Sequence, residues 1–174
     1  MPFAAAELKK VFGQFATGVV VVTAYVDGTT PIGLTVNSFN SVSLNPPLIL
    51  FSVSRKAPSL GALLRAPRFG ISVLAETQEE VSRRFAGEVP DKWSGTSYST
   101  QCNDIPFIPS ALARFQCAHY AVHEGGDHLI LVGEVLDICF DAEEGPLVFF
   151  RGKYRRLSGD VLNGPNIVEK NLAM

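Results

Sequence analysis

Val19-Val20-Val21-Val22-Thr23-Ala24-Tyr25-Val26-Asp27-Gly28 decides the fold class of this chain. Its branched side chains favour extended backbone, and Asp-Gly favours the positive φ angles of a tight hairpin turn. The segment therefore reads as a strand from Val19 to Val26 followed by its turn. Upstream, Leu8, Val11, Phe12 and Phe15 recur at i, i+3, i+4 and i+7, which predicts an amphipathic helix ending near Gly18. Downstream, Ile32 to Asn40 is polar and apolar by turns. Asn45-Pro46-Pro47 must then interrupt any ladder, because two successive residues lack donors. Leu48 to Ser54 reads as a buried strand.

The same punctuation continues to the end. Pro58 and a capping Ser59 announce a short helix to Arg65, and Arg68 to Leu74 is strand-like. Thr77 and Glu80 stand in the relation of a capping box, starting a helix whose apolar side carries Val81 and Phe85. Residues 87–109 hold Gly, Ser, Thr and Pro without a period, a loop long enough to be functional or mobile. Ala111 to His123 and His128 to Phe140 form a second hairpin across Glu124-Gly125-Gly126-Asp127, and Leu147 to Phe150 is a last strand. Many strands, few helices and no βαβ alternation predict a mainly β fold, a closed antiparallel barrel with helices packed outside, and disfavour a doubly wound parallel sheet.

Composition bounds the function. The 174 residues are the size of one domain, 1–174. With 47% apolar and 18% charged residues, the chain is too hydrophobic for disorder and under-charged for a solitary monomer, so apolar surface is expected to meet a partner. A formal charge of −2 gives no basic field for nucleic acid. No run is long enough to span a bilayer as a helix, and Glu7 before Lys9 and Lys10 is the wrong order for a signal peptide, which predicts a cytoplasmic protein with no membrane partner. Cys102, Cys117 and Cys139 are odd in number and widely spaced, so neither a disulfide framework nor structural zinc is expected. His119 and His123 share a strand face too far apart to chelate, so no metal is expected.

Four stretches can carry chemistry. Gly33-Leu34-Thr35-Val36-Asn37-Ser38 with Ser41 and Ser43 concentrates hydroxyls and an amide, either to satisfy strand edges or to hydrogen-bond a heteroaromatic ring. Ser52-Val53-Ser54-Arg55-Lys56 passes two cations into the helix start at Ser59, either as a plain capped helix or as a phosphate site. Gly126-Asp127-His128 opens a strand beside a flexible turn, where a lone His is usually structural and a nucleophile triad has no obvious partner. Arg151-Gly152-Lys153-Tyr154-Arg155-Arg156 is either solvated surface or a dinucleotide-attracting rim with Tyr154 for stacking. No GxGxxG or Walker glycine loop occurs.

Taken in order, these segments resemble the short-chain flavin reductase family, the split barrels that serve as reductase components of two-component flavin monooxygenases. The carriers are Phe12-Gly13-Gln14-Phe15-Ala16-Thr17-Gly18 running into the Val19 strand, Gly33 to Phe39 with Ser41-Val42-Ser43 and Pro46-Pro47, Gly126-Asp127-His128 leading to Gly133-Glu134-Val135, and Gly152-Lys153-Tyr154. The match spans Leu8 to Leu157. It implies a Greek-key split β-barrel with a few peripheral helices, working as a homodimer with flavin at the subunit boundary. It implies an NAD(P)H:flavin oxidoreductase that reduces FMN, or alternatively FAD, with NADH or NADPH, and hands reduced flavin to a separate oxygenase. By the same resemblance, Gly33, Thr35, Val36, Asn37 and Ser38 line the isoalloxazine and ribityl chain. Ser52, Val53, Ser54 and Ser59 lie along the ribityl-phosphate side, and Arg84 and Phe85 approach the phosphate. His128, as the catalytic candidate, and Tyr154 point toward the nicotinamide. Asp91-Lys92-Trp93 resembles part of the rim, with Trp93 where relatives often carry Phe. The alternatives are an FMN oxidase of the pyridoxamine phosphate type and a flavin carrier without hydride chemistry. FMN is favoured over FAD because one helix start with one cationic neighbourhood suffices for a monophosphate.

Overall fold

The computed structural model describes residues 3–87, 89, 91–99, 105–140 and 144–157. Its elements run α1 (Ala5–Phe12), β1 (Thr17–Gly18), β2 (Val20–Val26), β3 (Thr30–Val36), β4 (Asn40–Leu44), β5 (Pro47–Ser54), α2 (Leu60–Arg65), β6 (Arg68–Val73), α3 (Glu79–Ala86), β7 (Ala113–Gly125), β8 (His128–Phe140), β9 (Val148–Phe150) and β10 (Lys153–Arg155). Seven antiparallel strands form one sheet in the order β3-β2-β6-β7-β8-β5-β4, and β1, β9 and β10 form a second. The fold is mainly β, as the sequence implies.

The β2–β3 hairpin closes where Asp-Gly predicts, with Asp27 at φ 52° and Gly28 at φ 75°. β2 is buried along most of its length because both of its faces are covered. Val20, Val22 and Ala24 enter the main core with Phe51, Phe69, Ile71 and Leu131, while Val19 and Val21 join Leu74, Phe85, Ile108 and Leu147 in a second cluster. This explains an apolar run without alternation: β2 is a wall between two cores. Each fully buried valine contributes about 1.5–3 kcal/mol relative to exposure.

Several sequence expectations shift. The sheet is not closed by a ladder, since β3 and β4 stand at its opposite edges although they follow one another in the chain. Pro47 does not break the pairing. The Asn45–Pro46 bond is cis, and Pro47 opens β5 opposite Leu44, at the first strand position where a missing donor is tolerated. The Thr77/Glu80 capping box is not made: α3 starts at Glu79, and the Thr77 hydroxyl donates instead to Glu144 at 2.7 Å. Ser59 occupies the N-cap position of α2 without a side-chain cap bond. The first helix stops at Phe12; its Val11 and Phe12 are 66% and 69% exposed, and Phe15 beyond it is 77% exposed, while Leu8 is half-buried. Residues 151–156 contain a further hairpin, with Arg151 at φ 51° and Gly152 at φ 73° joining β9 to β10. The long loop is anchored by a Ser99–Phe107 bridge and by buried Ile105, Phe107 and Ile108. Cys102 and the residues beyond Leu157 lie outside the described residues. Among those described, no helix is long and apolar enough to cross a membrane.

Candidate functional site

A cleft of about 1080 Å³ opens along β3. β3 is an edge strand paired only with β2, so among the described residues its outer peptide groups join no ladder and are available to a ligand. Gly33, Thr35, Val36, Asn37 and Ser38 line one wall, and Ser52, Val53 and Ser54 at the end of β5 line another. Lys56, Ser59, Phe85, Lys92, Trp93 and His128 complete the rim and floor. Ten of the expected binding residues are thus brought together with His128 from segments far apart in sequence.

Each wall has a physical cause. The Ser38 hydroxyl accepts the Ser52 N–H at 2.9 Å and donates to the Ser52 carbonyl at 3.2 Å, latching the link from β3 to β4 onto β5 where no ladder holds it. Thr35 Oγ1 donates to the Ser82 carbonyl of α3 at 2.8 Å. With its proton committed there, the Thr35 oxygen faces other groups as an acceptor. Gly33 has the Phe85 ring pressed on its backbone, and a Cβ there would lie 2.5 Å from Phe85 Cε1. Phe85 in turn meets Trp93 edge-to-face at 4.8 Å.

The cations divide. Lys56 stays at the cleft, but Arg55 turns away: its Nε donates to the Gly126 carbonyl at 2.9 Å and its guanidinium pairs with Glu124. Arg55 therefore staples β5 to the β7–β8 turn and does not line the cleft, where its neighbourhood suggests a phosphate-binding guanidinium. That staple accompanies the Ser54–His128 register, which carries His128 into the cleft. His128 Nδ1 contacts Asp127 Oδ1 at 2.7 Å. This hydrogen bond and the attraction of the imidazole hold the Asp127 carboxyl below its ordinary range.

Lys92 is the cation that local sequence reasoning alone does not place. Its Nζ donates to the Phe85 carbonyl at 2.8 Å, near the carbonyl end of α3, and approaches the Gly33 carbonyl at 3.5 Å. Asp91 Oδ1 accepts the N–H groups of Trp93 and Ser94 at 2.9 and 3.1 Å, which shapes the loop presenting Lys92.

Two expected residues do not line the cleft. Arg84 Nη1 donates to the Ser94 carbonyl and, at 3.0 Å, to Thr96 Oγ1, so it supports the rim loop from behind. Tyr154 lies behind α3, its hydroxyl sharing a 2.8 Å hydrogen bond with Ser82 and its ring covered by Arg83 and edged by Phe149. Among the described residues no cluster of metal-ligating side chains occurs.

The arrangement suits a flat, polar-edged ring: free strand-edge peptides beside it, aromatic residues at the floor, two lysines and several hydroxyls for an anionic tail. Comparison with known proteins agrees. Residues 12–158 match the family model of the flavin reductase like domain. The chain is 38% identical over 152 residues to the reductase subunit HsaB of a flavin-dependent monooxygenase from Rhodococcus jostii, covering 87% of this chain and 77% of that one. It is 40% identical over 146 residues to a flavin reductase from Pseudomonas putida, covering 84% and 86%. The solved structure of the Streptomyces globisporus NADH:FAD oxidoreductase SgcE6 with NAD and FAD fragments superposes with a TM-score of 0.86 at 38% identity, covering 92% of this chain and 96% of that one.

Proposed function

Because this chain belongs to the flavin reductase like family, we propose that its β3 cleft is the site of an NAD(P)H:flavin oxidoreductase that supplies reduced flavin to a separate monooxygenase. The observation that carries this reading is the convergence of the open β3 edge, Lys92 and His128 on one cleft. The chemistry supplied by bound flavin and nicotinamide is hydride transfer from nicotinamide C4 to flavin N5. The chain's own task is to hold the two rings in contact.

β3 peptide groups from Gly33 to Ser38 bind the polar edge of the isoalloxazine, and Lys92 places positive charge in the same cleft, favouring a ring that gains negative charge on reduction. Ser52, Ser54, Ser59 and Lys56 hold the ribityl-phosphate side. His128, steadied by Asp127, orients the nicotinamide. One cationic neighbourhood on the phosphate side favours FMN, with FAD as the alternative. The work is done by a single domain in the cytoplasm, where the free thiols Cys117 and Cys139 suit reducing conditions.

The working unit is a homodimer. Ile138 and Phe140, two residues apart on β8, are 63% and 75% exposed, apolar surface that a second copy would cover. The relatives are named as reductases, which favours this reading over an oxidase of the pyridoxamine phosphate type or a passive carrier. Anaerobic mixing of flavin-stripped protein with FMN and NADH tests it: rapid loss of oxidised flavin absorbance and passage of reduced flavin through a filter are expected. Binding without bleaching would sink the reductase reading. Repeating with FAD and NADPH ranks the cofactors.

A further inference from the structure

Tyr154 resembles a nicotinamide-facing residue in sequence, but the structure gives its hydroxyl a different partner. Ser82, on α3, is fully buried. Its hydroxyl shares the 2.8 Å bond with Tyr154 on β10, and its carbonyl receives the Thr35 proton at 2.8 Å. One residue of α3 is therefore tied on one side to the β9–β10 hairpin and on the other to the cleft wall. Arg83 over the Tyr154 ring at 4.9 Å and Phe149 at its edge fix the ring from which that hydroxyl extends.

We propose that Tyr154 is a positioning residue for the flavin cleft: through Ser82 it sets α3 so that the Thr35 hydroxyl is oriented as an acceptor toward the bound ring. A threonine hydroxyl otherwise rotates and can present either its proton or a lone pair. Committing the proton to the Ser82 carbonyl leaves only lone pairs, so the flavin edge meeting Thr35 must offer an N–H. The effect reaches the cleft without Tyr154 touching a ligand, because α3 lies against β3 and transmits the tie as a packed element. The inference rests on the flavin reading of the cleft given above.

The test is a double-mutant cycle read by FMN affinity, using fluorescence titration of wild type, Tyr154→Phe, Thr35→Val and the double variant. Tyr154→Phe keeps the ring and deletes the tie. It should weaken FMN binding about three- to tenfold in the wild-type background and leave affinity essentially unchanged beside Thr35→Val. Thr35→Ser, which retains a hydroxyl, should restore the sensitivity to Tyr154→Phe. Ser82→Ala supplies a second route, and its effect should not add to that of Tyr154→Phe. Equal loss in both backgrounds, or no loss from Tyr154→Phe, overturns the inference while flavin binding by the wild type stands. Absence of binding of both FMN and FAD by the wild-type chain overturns the flavin reading and this inference with it.

Discussion

Gly33→Ala is the substitution whose consequence follows most directly from the geometry. The added Cβ would lie 2.5 Å from Phe85 Cε1 and 2.6 Å from Cδ1, where unstrained carbon contacts are about 3.5–4.0 Å. Roughly 1 Å of movement is required. Phe85 has little room to give it, being 1% exposed and packed among Val19, Val21, Leu74, Ile108 and Leu147 with Trp93 against its ring. Overpacking of this kind costs about 1–3 kcal/mol. In a domain of this size that is a fall in Tm of roughly 2–12 °C. Movement of β3 also displaces the peptide edge of the cleft, and each 1.4 kcal/mol lost there weakens flavin binding about tenfold. Thermal unfolding of the flavin-free protein and FMN titration read the two effects separately. Phe85→Leu in the Gly33→Ala background should recover part of both, so that the pair costs less than the sum of its members. An unchanged Tm together with unchanged FMN affinity in Gly33→Ala would refute the claim that close approach at this glycine builds the site.

Other substitutions probe separate parts of the same structure. Lys92→Ala removes the donor to the Phe85 carbonyl and a cation from the cleft; flavin KM should rise by about tenfold, and the rise should shrink with added salt, which steady-state assays at two ionic strengths will show. His128→Ala should slow NADH oxidation while changing FMN affinity less than about threefold; a parallel collapse of flavin binding would move His128 to the flavin wall. Ile138→Asp places a charge in the exposed apolar surface of β8 and should convert a dimer to monomers in sedimentation experiments. Burial pushes the Cys117 thiol up to about 12. At pH 8 only about one molecule in ten thousand then carries its thiolate, so peptide mapping after alkylation should find Cys117 modified only when the protein is unfolded.

Local chemistry was enough for the elements whose signals sit within a few residues. Asp27-Gly28 fixed its hairpin, the Leu48 to Ser54 run fixed β5, and Gly126 fixed the β7–β8 turn, because φ preferences and branched side chains act on the backbone that carries them. The cleft was legible only as a density of hydroxyls and as a resemblance, which pointed to residues that line it and equally to Arg84 and Tyr154, which do not. What each polar group does depends on a partner remote in sequence. Thr35 finds Ser82 47 positions away, Ser82 finds Tyr154 72 positions away, and Arg55 finds Gly126 71 positions away. For the same reason Thr77 left its capping box for Glu144. The sequence by itself determined strands, turns and an apolar excess. The tertiary structure alone decided that Arg55 leaves the cleft and that Tyr154 stands behind it, because a hydrogen bond between distant residues exists only once packing has brought its two ends together.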